Sequence, residues 1–241
     1  VGNSAFALCE KLTVVSAENL AEARSSAFSG ANITNVNFPR LSVIGEEAFA
    51  DSYGIVTVKL GAVTKMGANV FRNSNEITSV EFGEGTTAIG DYALYSSGRR
   101  TRLTSVTLPS SVQTIGNYAF QNCDSLITIK TPISLTWMGQ YAFDDCDDLK
   151  TITIQGAPNI EGRAVSWCPN LEYVNLSDSI TTIGSYAFCH NDSLKNITLP
   201  KRLTEISKGL FYDCESLKTV GIKDAVTFIG EEAFYQCESL E

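Results

Sequence analysis

Residues Leu103–Leu126 read LTSVTLPSSVQTIGNYAFQNCDSL, and this phrase decides the fold. As a template it is Leu-x-x-Val-x-Leu-Pro-x-x-Val-x-x-Ile-Gly-x-x-Ala-Phe-x-x-Cys-x-x-Leu. Its last residue, Leu126, begins the next copy, 23 residues after Leu103. A fixed period of this size marks a stacked-repeat architecture, and it overrides the one or two globular domains that length alone suggests.

The register is anchored on the Phe of the Ala-Phe pair. That slot holds Phe6, Phe28, Phe49, Phe71, Leu94, Phe120, Phe143, Val165, Phe188, Phe211 and Phe234. The intervals run from 21 to 26 residues, and the one of 26 precedes Phe120. A small residue, mostly Ala, stands just before, so a short helical turn is expected to lie close to its neighbour. The strand phrase recurs from Ile33/Val36/Phe38 to Leu217/Val220/Ile222, with a weaker version at Leu12/Val15/Ala17. A β-branched residue followed by alternation predicts a short strand with one buried face. Stacked copies make a parallel sheet with strands about 4.8 Å apart. A third apolar row, such as Val112/Ile115 and Leu203/Ile206, closes the core. The Gly that follows it (Gly45, Gly67, Gly90, Gly116, Gly139, Gly184, Gly230) is read as a turn needing φ > 0 or close backbone approach. Pro39, Pro109, Pro132 and Pro200 end the strands.

The net charge is −9, and no basic stripe offers counter-charge to phosphates or anionic lipid. A nucleic-acid partner and a polybasic membrane contact are therefore not expected. No apolar run approaches the ~18 residues of a membrane span, and the start, VGNSAFALCEKL, lacks the pattern of a signal peptide. Both ends read as mid-repeat, so residues 1–241 are expected to be a single solenoid domain cut from something longer.

The strand phrase followed by P-x-x-V-x-x-I-G-x-x-A-F-x-x-C resembles the BspA-like, or Treponema-type, leucine-rich repeat. The resemblance covers essentially residues 5–241 and is loosest before Ala50. It implies a curved solenoid of about ten ~23-residue rungs. The parallel sheet would lie on the concave face, with short helical or extended segments opposite. It also implies an exported surface or secreted protein that adheres to host or microbial proteins, and it brings no catalytic residues.

Candidate chemistry is sparse. Six of the seven cysteines fall three residues after the Phe slot: Cys9, Cys123, Cys146, Cys168, Cys214 and Cys237. Other copies put Ala, Ser or Asn there, which reads as a small turn position with stacked free thiols. Cys123–Cys146, Cys146–Cys168 and Cys214–Cys237 are the pairs whose rung spacing would permit a disulfide, though in-register side chains fit its dihedral poorly. One histidine, His190, sits in a slot shared with Asn122, Asp145, Asp213 and Gln236 and reads as an exposed loop residue. Without a second His, no Ser/His/Asp set beyond His190 assembles, and no phosphate loop is present. No metal or cofactor site is assigned. Asp144, Asp145, Asp147 and Asp148 match no calcium loop and read as a solvated acidic edge.

The candidate binding residues are those that leave the core. Flanking each central strand residue are, among others, Ser105/Thr107, Thr128/Lys130, Thr151/Thr153 and Tyr173/Asn175. This is a neutral hydroxyl- and amide-rich face, suited to a protein or glycan ligand or simply to a soluble strand. Tyr92, Tyr118, Tyr141 and Tyr186 form a second column, read as packing. Irregular copies add candidates. An insertion of about three residues in Ser96–Arg102 gathers Arg99, Arg100 and Arg102. Trp137 and Trp167 occupy slots that are polar elsewhere, and Trp167 has the alternative of filling the space left by Val165 in the Phe slot. Sequons occur at Asn32, Asn175, Asn191 and Asn196. The reading is non-catalytic binding, most plausibly adhesion. A passive spacer or a glycan-recognition module are its rivals. Clustering of Trp137, Trp167 and Tyr173 would favour binding, and a uniformly polar surface a spacer.

Overall fold

The structure is a computed structural model that describes residues 1–98 and 100–241. It is a parallel β-solenoid in which each rung has three sides. The first side is the strand phrase. Its rows are Asn35–Phe38, Thr57–Leu60, Ser79–Glu81, Ser105–Thr107, Thr128–Lys130, Thr151–Ile154, Tyr173–Leu176, Asn196–Thr198 and Thr219–Gly221. The second is a two-residue strand, from Glu22–Ala23 to Phe228–Ile229, that in every copy after the first ends in Ile or Met. The third carries the Ala-Phe pair.

Pairing is residue for residue. Val58 faces Val80, Val80 faces Val106, and Ile152 faces Val174. Alternation does what period two requires. In Asn35–Phe38 the pattern is exposed, buried, exposed, buried, and Thr57–Leu60 repeats it. The insertion before Phe120 does not disturb this register, because Ser79 still pairs with Ser105. Of the insertion, Ser97, Gly98, Arg100 and Thr101 lie in no strand. The weak phrase at Leu12/Val15/Ala17 forms no strand, and Val14 is 73% exposed.

The Phe slot fills the centre. Phe28 and Phe49 stack at 5.2 Å between centroids, Phe120 and Phe143 at 5.0 Å, and Phe188 and Phe211 at 6.1 Å. Leu94 and Val165 interrupt this stack yet stay buried.

The Ala-Phe side is not helical, and no helix occurs among the described residues. In the template rung Tyr118, Phe120 and Asn122 donate their N–H groups forward, to Gln140, Ala142 and Asp144 carbonyls at 2.9–3.0 Å. Between them, Gln121 and Cys123 donate backward within the rung, to Tyr118 and Phe120 carbonyls at 3.3 Å. The inter-rung bonds hold this side at about the 4.8 Å spacing of strands, closer than the roughly 10 Å width of a helix allows without splaying the rungs apart. A flat chain of turns fits that spacing, and it gives every second N–H to the next rung.

This ladder needs left-handed backbone at two fixed slots, two residues before and two after the Phe. Tyr118 has φ 57° and Asn122 φ 59°, and the pair recurs at Tyr141/Asp145 and Tyr186/His190. Of the two reasons expected for the glycines, φ > 0 is not the one, since Gly116 and its equivalents lie two residues earlier with ordinary φ. They are required by close approach instead. A Cβ on Gly116 would lie 2.6 Å from the Asp91 nitrogen of the preceding rung.

The cysteine slot also has a specific job. Cys146 and Cys168 point Sγ at the Phe-slot carbonyls of the preceding rung, Phe120 at 3.3 Å and Phe143 at 3.2 Å. Ser52, Ser74 and Asn191 donate in the same way to Phe28, Phe49 and Val165. The slot therefore takes a small side chain, in most copies one with a donor, with Ala31 the exception. All seven cysteines are free thiols, including the three pairs whose rung spacing would permit disulfides.

Two outcomes follow. Ser74→Ala should cost about 1 kcal/mol in denaturant unfolding, whereas Ser74→Cys, which keeps a donor, should cost less. Burial raises the thiol pKa of Cys123, Cys146 and Cys214, and that of Cys189 to about 11. An aqueous alkylating reagent should thus modify exposed Cys9 first, then half-buried Cys237, and reach the other five only on unfolding; mass spectrometry of the native protein checks the order.

Candidate functional site

The outward residues of the long strands lie along one side of the solenoid, in successive sheets of four, three and two strands. Ser105, Thr107, Thr128, Lys130 and Asn175 are exposed, Thr151 and Thr153 are half-buried, and Tyr173 is 60% exposed. The ladder sets those of Thr128–Lys130, Thr151–Ile154 and Tyr173–Leu176 side by side in one three-stranded sheet, and Ser105–Thr107 ends the four-stranded sheet before it. Part of the polarity is satisfied within the surface. Thr57 donates to Asn35 at 2.6 Å, Thr219 to Asn196 at 2.5 Å, and Asn175 to Thr153 at 3.3 Å. Lys59 pairs with Glu81 at 3.3 Å. Lys130 has no ion-pair partner among the described residues. A shallow depression runs beside Tyr173, lined by Asn175, Asp178, Asn196 and Thr198.

The other candidates lie elsewhere. Arg99 is outside the described residues. Arg100 reaches forward to Asp148 at 2.6 Å, and Arg102 reaches back to Glu76 at 2.9 Å. The two charges thus diverge and each meets a carboxylate of this chain. The insertion is further pinned by Asp124, which accepts the Thr101 N–H at 3.3 Å, and by Asn122, which donates to the Ser96 carbonyl at 2.6 Å.

Trp137 is in a two-residue strand on the second side of the rung, half-buried, with Nε1 donating to Glu161 at 3.1 Å. Trp167 is in the turn ladder on the third side, 48% exposed. Tyr173 is on the first. The three aromatics that would have argued for binding by clustering stand on three different sides. Trp167 does not fill the Val165 gap either; it stacks outside on His190, with centroids 3.8 Å apart.

His190 is correspondingly not the exposed loop residue its slot suggests. It is half-buried, and its Nδ1 lies 3.0 Å from Asp213. The acidic edge is also divided: Asp145 and Asp147 are exposed, but Asp144 is buried. Asp144 accepts from Gln121 at 2.8 Å and, by a short bond, from Ser166. Burial pushes its pKa up. Among the described residues no group of His, Cys, Asp and Glu could hold a metal ion.

The tyrosine column packs as a stack. Tyr92–Tyr118 and Tyr118–Tyr141 are 4.6 and 4.7 Å apart. Arg163, which replaces Tyr in the next rung, lies with its guanidinium carbon 6.0 Å from the Tyr141 ring and 5.1 Å from Tyr186. A cation thus continues an aromatic stack. Of the sequon residues, Asn32, Asn175 and Asn196 are exposed and Asn191 is fully buried.

The left-handed columns, the donor role of the cysteine slot and the Trp167–His190 stack were not anticipated from the sequence. The recurrence of Asn, Asp and His two residues after the Phe was the available signal, since these residues are enriched at positive φ.

A family model described as a BspA type leucine-rich repeat region, of six copies, matches residues 1–99, 98–161 and 158–241. Among solved structures, the chain is similar to a leucine-rich repeat protein from Bacteroides ovatus, 22% identical, over 99% of this chain and 74% of that one, with a TM-score of 0.61. It is also similar to the leucine-rich repeat protein of T. pallidum, 23% identical, over 83% and 78% of the two chains, with a TM-score of 0.53. No curated protein matches the chain by sequence.

Asp124 offers a test of how the insertion is held. Burial, then the charges of Asp147 and Asp145, raise its pKa from 3.8 to about 6, against the Thr101 N–H and Arg100. The folded state thus binds this proton more tightly than the unfolded chain. Stability from this group is present below about pH 4 and is lost as pH rises through about 6. Asp124→Asn should therefore be more stable than the parent at pH 8, and the difference should vanish at pH 4. Thermal melts across that range check it, and a constant difference would show that Asp124 is not the cause.

Proposed function

The chain belongs to the BspA-type leucine-rich repeat family, and on that premise we propose that it is a non-catalytic binding protein of the cell surface or secreted space. Its ligand is a protein, and its role is adhesion to host or microbial proteins. The surface used is the outward face of the long strands. One observation supports this reading: over nine successive strands of the described chain, the inward residues are apolar while the outward ones make a regular polar surface. Such a surface is rigid before binding, so little ordering entropy opposes association. Tyr173, exposed beside the depression, supplies an aromatic anchor of the kind enriched at binding hot spots, and Lys130 supplies an unpaired charge. Ser105, Thr107, Thr128, Thr151, Thr153 and Asn175 are the polar contacts around them.

The spacer reading has its own support. The pairs Thr57–Asn35, Thr219–Asn196 and Lys59–Glu81 satisfy neighbouring rungs internally, and the aromatic candidates are dispersed over three sides. A saccharide ligand would draw on the same hydroxyl and amide groups.

Surface plasmon resonance against a panel of host matrix proteins separates these readings. Saturable binding is expected, and the double variant Lys130→Glu/Tyr173→Ala should weaken it about tenfold or more with an unchanged circular dichroism spectrum. Undiminished binding by the variant would move the contact to another face. Silence across the panel would sink adhesion, and hits on a glycan array in its place would establish the saccharide reading.

A further inference from the structure

Trp167 stands apart from the surface just described. It is on the turn side of the rung, in the left-handed slot two residues after the Phe position, with φ 54°. Asn122, Asp145, His190 and Asp213 occupy that slot in neighbouring rungs, as left-handed backbone favours. Backbone preference does not select Trp there. Core packing does not require it either, since nearly half of the residue is exposed.

Its geometry is one-sided. The ladder runs along the axis, so each residue of the column faces its equivalents in the rungs before and after. On the later side, His190 stacks flat against the indole at 3.8 Å with 19° between planes. His190 is itself held by Asp213 at 3.0 Å and flanked by Tyr212, with ring centroids 5.6 Å apart. The indole is thus backed by a fixed ring. On the earlier side stands Asp145, an exposed aspartate with no ion-pair partner among the described residues. The backbone places it one rung away, since its N–H donates to the Ser166 carbonyl at 3.0 Å. The half-exposed indole and the Asp145 carboxylate are therefore one rung apart in the same column.

That combination selects a flat cation. A guanidinium laid on the exposed part of the indole would present its N–H groups to the Asp145 carboxylate of the adjacent rung. The same side of the molecule already contains this arrangement. In the neighbouring column Arg163 continues the tyrosine stack between Tyr141 and Tyr186, at 6.0 and 5.1 Å. The net charge of −9 adds long-range attraction of the same sign.

We infer that the exposed part of the Trp167 indole, with Asp145, is a docking site for an arginine side chain of a basic protein partner. It is distinct from the long-strand surface and does not depend on that surface being used. It gives the solenoid a second contact on another side, directed at a basic segment rather than at a polar one.

Trp137→Phe leaves Trp167 as the one indole of the two in the sequence, so its fluorescence reports the site. Hexaarginine should quench it saturably, and hexalysine should bind several-fold more weakly because an ammonium does not stack as a plane. By calorimetry, Trp167→Ala and, separately, Asp145→Asn should each weaken hexaarginine binding about 3- to 30-fold. Asparagine tolerates the left-handed slot, so the second variant keeps the test valid if the first disturbs the fold. Parent-like affinity in both variants, or equal binding of the two peptides, would overturn the proposal by showing general attraction to an acidic surface. Saturable quenching by a neutral oligosaccharide in place of hexaarginine would overturn it in favour of a sugar platform.

Discussion

Everything in this molecule depends on the repeat of one rung upon the next at strand spacing. Each residue has, as its nearest neighbours along the axis, its own equivalents in the copies before and after. A residue is therefore retained in a slot when it tolerates a column of its own kind. This constraint is stricter than burial alone. It explains why Phe28, Phe49 and Phe71 stack face to face at 5.2–5.3 Å. It also explains why the cysteine slot holds small side chains, several of which (Cys146, Ser52, Asn191) aim a donor at the carbonyl one rung back.

The same spacing decides the backbone. The Ala-Phe side is bonded rung to rung at that spacing, as a flat run of turns with left-handed residues at both ends. Glycine follows from the approach of one rung to the next. Gly116 and Gly139 lie where a Cβ would meet the backbone of the rung before. Irregularities are absorbed where the spacing does not act. The insertion at Ser96–Arg102 leaves the pairing of Ser79 with Ser105 intact, and its Arg100 and Arg102 are drawn to Asp148 and Glu76.

For binding, the consequence is a division of labour among the sides. The long-strand side offers a broad polar array that repeats with little variation. The turn side varies more, because its outward slots carry Tyr, Arg, Asp, Trp and His in succession. A column broken by one different residue creates a local site without any change of fold. Arg163 between Tyr141 and Tyr186 is such a break used internally, and Trp167 beside Asp145 is one left open.

Much of the architecture was legible in the sequence, because a column of equivalent residues is written into the chain at every period. The Phe column, the inward Val and Ile, the outward Thr and Asn, and the parallel in-register sheet all follow from the period and the alternation. The outward placement of Ser105 through Asn175 follows likewise. What the period does not carry is the third dimension of the turn side. The left-handed slots, the absence of helix, the burial of Asp144 and the pairing of His190 with Asp213 arise from contacts between rungs. Those contacts depend on backbone direction, which composition does not encode. The side on which each exceptional residue falls was likewise decided only by the tertiary structure. Trp137, Trp167 and Tyr173 are near in sequence, yet a triangular rung sends them to three faces. The sequence by itself determined what stacks on what, and the folded rung alone determined which way each side chain looks.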